Sequence, residues 1–194
     1  MPRLYGQRVM LREYRSDDLE PMRRWVNDAD IVCHLSDIFL YPHPLQASEQ
    51  FLDDMLEGRS DSRGFVIADP VTEAYIGQVN LDRIDWKNRV GTIGIVIGDV
   101  DQLGKGYGTE ALRLLVDFAF LEMNLNRLEM EVYDFNERAC RSYRTCGFQE
   151  EGRLREKQYK NGRYVDVIVM GLLKSDWERM QDRGGKQLDV GGAG

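Results

Sequence analysis

The spacing of apolar residues switches between about two and nearly four along the chain, and those switches divide it into elements. In QRVMLREY (7–14), Val9 and Leu11 share one side with Glu13, the alternation of a strand. From Ser16 the stripe Leu19, Met22, Trp25, Val26 predicts a helix, with two acids in its first turn and Pro21 close to that turn. An aromatic loop punctuated by proline, SDIFLYPHP (36–44), leads into a second amphipathic helix, LQASEQFLDDMLEG, that stops at Gly58. Three runs of strand character follow, 64–69, 74–85 and 90–98, joined by the short turns PVTE and WKN into an antiparallel meander. Helical spacing returns at Tyr107, with Leu112, Leu115, Phe118 and Ala119 on one face and Glu110, Arg113 and Asp117 on the other. RLEMEVYD (127–134) predicts a strand and NERACRSYRTCGF (136–148) a helix stopped by Gly147. KNGR then turns a hairpin between 149–159 and 164–173. No repeat or interior linker interrupts this order. It predicts a single α/β (α+β) domain, 1–182, with a mixed, mostly antiparallel central sheet of about seven strands and helices on both faces. The segment 183–194, rich in glycine and poor in apolar residues, reads as a disordered tail.

Composition narrows the function. With 194 residues, 42% of them apolar, the chain can bury one sizeable core. A net charge of -7, from 33 acids against 26 bases, argues against non-specific nucleic-acid binding and suits a cationic substrate. The first fifteen residues hold four arginines and no apolar run, and no later run reaches membrane-spanning length, so a cytoplasmic protein without a membrane segment is expected. Cys33, Cys140 and Cys146 lack zinc-ligand spacing and His34 and His43 are the only histidines, so reduced thiols and no metal are expected.

Candidate chemistry begins at DQLGKGYGTEALRLL (101–115), where Gly104, Gly106 and Gly108 precede a helix. Unpaired N–H groups and the positive end of the helix dipole make an anion site there. Glycines let a phosphate approach the backbone, and Lys105 adds charge. A nucleotide-hydrolase loop is excluded, because Gly98 lies one residue too early and Gly106 follows Lys105 where Ser or Thr is needed. A dinucleotide fingerprint stays open on Gly106, Gly108 and Ala111, with Glu129 or Glu131 about twenty residues on. Against it stands the meander before the loop, where that fold needs parallel strands.

Three blocks in order, LGKGYGTEAL (103–112), LNRLEMEVYDFNERACRSYRTCGFQEEGRLR (125–155) and NGRYVDVIVMGLL (161–173), resemble the GNAT superfamily of acetyl-CoA-dependent N-acetyltransferases. Within it the chain is most similar to the branch of ribosomal-protein N-terminal and spermidine N-acetyltransferases, over residues 5–180. The resemblance implies direct transfer of an acetyl group from acetyl-CoA to a primary amine, either a polyamine such as spermidine or spermine or a protein N-terminus. It implies that the backbone of Leu103, Gly104, Lys105, Gly106, Tyr107, Gly108 and Thr109 holds the coenzyme pyrophosphate. Ile95, Val96 and Ile97 would meet the pantetheine arm, and Asn136 with Ala139 would line its other side. Leu103 stands where the family usually has Gln or Arg. Homo-oligomers are common among relatives, and an apolar strand edge over 164–173 would suit one.

Acetyl transfer needs a neutral amine, a donor to the thioester oxygen and an acid for the departing thiolate. The resemblance gives the acid role to Tyr143, seven residues after Asn136, and the donor role to a backbone N–H near Ile95 or Ile97. Glu129, Glu131, Asp82, Asp85 and Asp37 are the carboxylates within consideration as base, directly or through water. Asp37 also matches an acidic position of the spermidine enzymes and, with Asp30, Glu49 and Asp53, would attract a polycation. His34 and His43 read as polar loop residues. A dinucleotide-binding oxidoreductase and a non-catalytic acyl-CoA-binding module are the rival readings.

Overall fold

The computed structural model describes residues 3–185. Two short strands, β1 (Leu4–Tyr5) and β2 (Met10–Arg12), open the chain. The helix α1 (Leu19–Trp25), the single turn α2 (Ala29–Val32) and the longer α3 (Leu45–Leu56) come next. The meander is β3 (Arg63–Ala68), β4 (Tyr75–Asp85) and β5 (Val90–Ile97). It is followed by α4 (Tyr107–Leu121), β6 (Arg127–Tyr133) and α5 (Glu137–Thr145). The hairpin β7 (Gln149–Lys160) and β8 (Arg163–Leu173) and the helix α6 (Lys174–Gly185) complete the domain. α6 extends three residues into the expected tail, whose remainder, 186–194, lies outside the described residues.

All eight strands form one sheet in the order β1-β2-β3-β4-β5-β6-β8-β7. Of the expected opening strand, 7–14, only β2 pairs into the sheet, and a further short strand, β1, precedes it across a turn, which accounts for eight strands rather than seven. Glu110 of α4 explains the break, because its carboxylate accepts the N–H groups of Gln7 and Arg8 and pulls the turn out of the ladder. The first helix also begins later than predicted. Asp18 is 2% exposed and takes both ends of the equally buried Arg12 guanidinium, at 2.7 and 2.9 Å, while accepting the Arg15 N–H at 2.8 Å. Ser16–Asp18 is therefore a 3-10 turn fixed by an ion pair rather than the first turn of α1.

Both faces of the sheet are covered. On one, Ala111, Leu112, Leu115, Val116, Ala119 and Phe120 of α4 pack against Val9, Leu11, Ile67, Val79 and Leu81. On the other, Met22 and Leu52 from α1 and α3 meet Met10, Tyr14, Val66 and Ala68. α4 is also the crossover between β5 and β6, the sheet's one parallel neighbour pair, and that pairing lasts only from Val90–Thr92 opposite Arg127–Glu129. Beyond it the two strands part. Among the described residues no helix is long and apolar enough to cross a membrane. The segment 164–173, expected at an apolar edge, lies between β6 and β7 in the interior of the sheet. The edge is β7, mostly exposed, polar and broken by register shifts near Gly152 and Gln158, features that discourage strand pairing.

Candidate active site

Where β5 and β6 part, a cavity of about 540 Å³ opens. The N-terminal ends of α4 and α5 bound one end of it and residues 30–37 the other. At the first end the chain passes through Gly104 and Gly106 with φ of 77° and 85°, left-handed values that suit glycine. A Cβ on Gly106 would lie 2.4 Å from Arg8 Nη1. Gly106 is the N-cap of α4 and no side chain caps the helix, so its first N–H groups remain for a ligand. Leu103, Gly104, Gly106, Tyr107, Gly108 and Thr109 all stand on the wall. Lys105 does not; its ammonium donates to Gln102 Oε1 at 3.2 Å, and the wall's arginines are Arg138 and Arg141 of α5. Those two were not singled out in the sequence.

Ile95, Val96 and Ile97 form the wall on β5. Gly98 N–H donates to Ile76 O at 2.9 Å. Alternation along an antiparallel ladder then turns the N–H groups of Gly94 and Val96 toward β4 and leaves those of Ile95 and Ile97 facing the gap. An extended arm can add to this free edge as a strand would. Opposite it, Asn136 caps α5 by accepting the Ala139 N–H at 3.2 Å, and both residues line the cavity. α5 is tied to α4 by Thr109 and Ser142, whose hydroxyls are 2.8 Å apart, and by the Cys146 thiol donating to Thr109 O at 3.4 Å. Those ties set Tyr143 on the wall, its ring 6.5 Å from that of Phe148. Burial, with Cys140 and Cys146 close by, pushes the phenol well above its ordinary value, so it keeps its proton throughout the working range.

The other end differs from expectation. Asp37 lines the cavity, but its carboxylate is held by Lys160 at 2.6 Å. Lys160 also donates to Leu35 O at 3.1 Å and lies 5.2 Å from the centre of the Tyr133 ring, whose hydroxyl donates to the same carbonyl at 3.0 Å. Burial opposes the Lys160 charge, yet the bond to Asp37 outweighs it and raises the ammonium above its usual value. Glu131 is on the wall as well, with both oxygens accepting from Lys157 at 2.8 Å. Asp30 is the one wall carboxylate without an ion pair among the described residues. Asp82, Asp85, Glu129, Glu49 and Asp53 lie off the wall. Asp82 is largely open to solvent, but one oxygen rests against Gly94, and loss of water on that side lifts its carboxyl to about 6. His34, read in the sequence as a loop residue, does reach the cavity; His43 does not. Among the described residues no group of three or more His, Cys, Asp or Glu could hold a metal.

A model of the acetyltransferase (GNAT) domain matches residues 8–149. The chain belongs to the GNAT acetyltransferase family. Among GNAT relatives it is similar to the uncharacterized N-acetyltransferase p20 of Bacillus licheniformis, 29% identical over 91% of this chain and 99% of that one. It is 31% identical to the putative ribosomal N-acetyltransferase YdaF of Bacillus subtilis (strain 168), over 73% of this chain and 78% of the relative. Its fold matches the crystal structure of spermidine N-acetyltransferase from Vibrio cholerae in complex with CoA and spermine, with a TM-score of 0.78 at 28% identity, covering 89% of this chain and 99% of that one. This GNAT enzyme therefore uses acetyl-CoA as co-substrate, and its uncapped helix end and free strand edge fit the pyrophosphate and the amide-bearing arm.

Proposed function

We propose that the acceptor of this N-acetyltransferase is a single primary amine, the N-terminus of a polypeptide, and that the acetyl group passes to it directly. The observation that carries this reading is the pairing of Asp37 with Lys160, repeated at Glu131 with Lys157. Two of the three carboxylates at the acceptor end are already neutralised, and Asp30 is left to orient one ammonium. A polyamine, with several cations, would have to displace both lysines. Direct transfer is supported by the wall itself, which holds no cysteine among the described residues, and burial lifts the Cys146 thiol to about 11, unsuited to a covalent relay. In the direct reaction a backbone N–H of Ile95 or Ile97 donates to the thioester oxygen and Tyr143 protonates the departing sulfur. Polyamines are the second reading, favoured by the related enzyme whose structure holds spermine.

Thiol release from acetyl-CoA separates the two. Short peptides with free N-termini are expected to give a kcat/KM about tenfold or more above spermidine and spermine. A polyamine preference of that size overturns the peptide reading. Lys160→Ala frees Asp37 and is expected to raise turnover of polyamines relative to peptides.

A further inference from the structure

His34 lies two residues beyond the end of α2, on the wall of the cavity. His34 N–H donates to Ile31 O at 3.2 Å, and its ring stands on the cavity wall beside Phe135, 5.5 Å between centroids. Phe135 in turn stacks on Tyr133 at 5.5 Å. The next carbonyl along the chain, Leu35 O, is held by both Tyr133 and Lys160, so the imidazole is fixed from the ring side and from the backbone side. Its Nδ1 is buried and has no hydrogen-bond partner, the only buried side-chain nitrogen or oxygen in that condition among the described residues. Leaving such an atom unpaired costs about 1–3 kcal/mol, and a ring that stands on the cavity wall can recover that by turning to a ligand.

We propose that the imidazole of His34, on the cavity wall, accepts the proton of the acceptor ammonium, making His34 the catalytic base. The inference rests on the amine-acetylating reading above. The charged and titratable groups at this end of the cavity are Asp30 from α2, Asp37 from the loop after His34, Glu131 and Tyr133 from β6, Arg138 from α5 and, through Asp37, Lys160 from β7. The two acids beside lysines are neutralised by them. Burial, and then the charge of Arg138, hold the imidazole below its ordinary value, so it is neutral and able to accept at neutral pH. A peptide α-amine, of pKa about 8, is closer to such a base than a side-chain or polyamine nitrogen of about 10.

The proton count closes. One proton passes from the ammonium to the imidazole, and the freed nitrogen pair forms the bond to the acetyl carbon while the carbon–sulfur bond breaks. Tyr143 gives its proton to the sulfur and regains one from the nitrogen of the new amide, and His34 returns its proton to solvent. The products are amide, free thiol and one proton.

His34→Gln is expected to lower kcat at least about a hundredfold while leaving CoA affinity, read by calorimetry, within about twofold. In wild-type enzyme kcat should fall as pH drops through a limb below 6.5, where the imidazole becomes charged. That limb should vanish in His34→Gln and persist in His43→Gln. Added imidazole should restore part of the turnover of His34→Ala. A reading that needs no folded His34 variant comes from His43→Gln, in which His34 is the one histidine left. The imidazole NMR signal that survives in His43→Gln should shift when an N-terminal peptide is added to the CoA complex. A His34→Gln enzyme within threefold of wild type with an unchanged limb overturns the assignment alone, as does an unmoved NMR signal. Wild-type silence on every amine overturns the amine-acetylating reading and the assignment with it.

Discussion

At Tyr143 a packing role and a chemical one predict different outcomes. A purely packed ring would tolerate loss of its hydroxyl, which has no protein partner here to lose. If the phenol protonates the leaving thiolate, Tyr143→Phe should instead reduce kcat by about 10²–10⁴-fold, with the KM for acetyl-CoA and the Tm almost unchanged; steady-state kinetics beside a thermal melt decide it. Asn136 and Tyr143 line the cavity but were singled out only by the family resemblance, while the glycines of the cradle, which also line it, were legible as a pattern before a helix. Lys160, Arg138 and His34 were not. Lys160 meets Asp37 across 123 positions of chain, and neither residue carries a local mark of the other. Asp37, though found, was given the wrong company for the same reason.

At the scale of elements, strongly periodic segments were readable and short ones were not. α4 and α5 carry long enough stripes to declare themselves, and the meander shows its turns. β1, the single turn of α2 and the late start of α1 exist because of distant partners such as Glu110 and the buried Arg12–Asp18 pair. The loop into α4 offers the sharpest test. Gly106→Ala places a β-carbon on a left-handed residue and against the Arg8 guanidinium. The strain is about 1–3 kcal/mol, so a loss of a few degrees in Tm is expected. A weaker CoA complex should accompany it, because the first N–H groups of α4 would be re-aimed; calorimetry at fixed pH reads that part separately. An affinity equal to wild type would mean the cradle is held from elsewhere.

For the whole molecule, ligand and fold should be strongly linked. The cavity opens where only three residue pairs join β5 to β6, and a ligand bound there stabilises the native state and not the unfolded chain. At a hundred times Kd, CoA should add about 2.7 kcal/mol. For a domain of this size that shifts Tm upward by roughly 5–10 °C. A scanning melt with and without CoA measures it, and an unmoved Tm would mean that CoA does not bind the folded protein. The fold class was legible at this scale because the order of elements admits few sheets, but the edge was not. Which strand lies outermost depends on β8 docking beside β6, a choice made by packing rather than by the turn that joins the hairpin.

The three-residue junction between β5 and β6 has a mechanical meaning as well. It divides the sheet into a leaf of five strands and a leaf of three, bound at one corner and spanned by α4 like the spine of a book. In the proposed reaction the donor lies between the leaves and the amine at their open margin. A ligand seated there touches both leaves and holds them together as a clasp would.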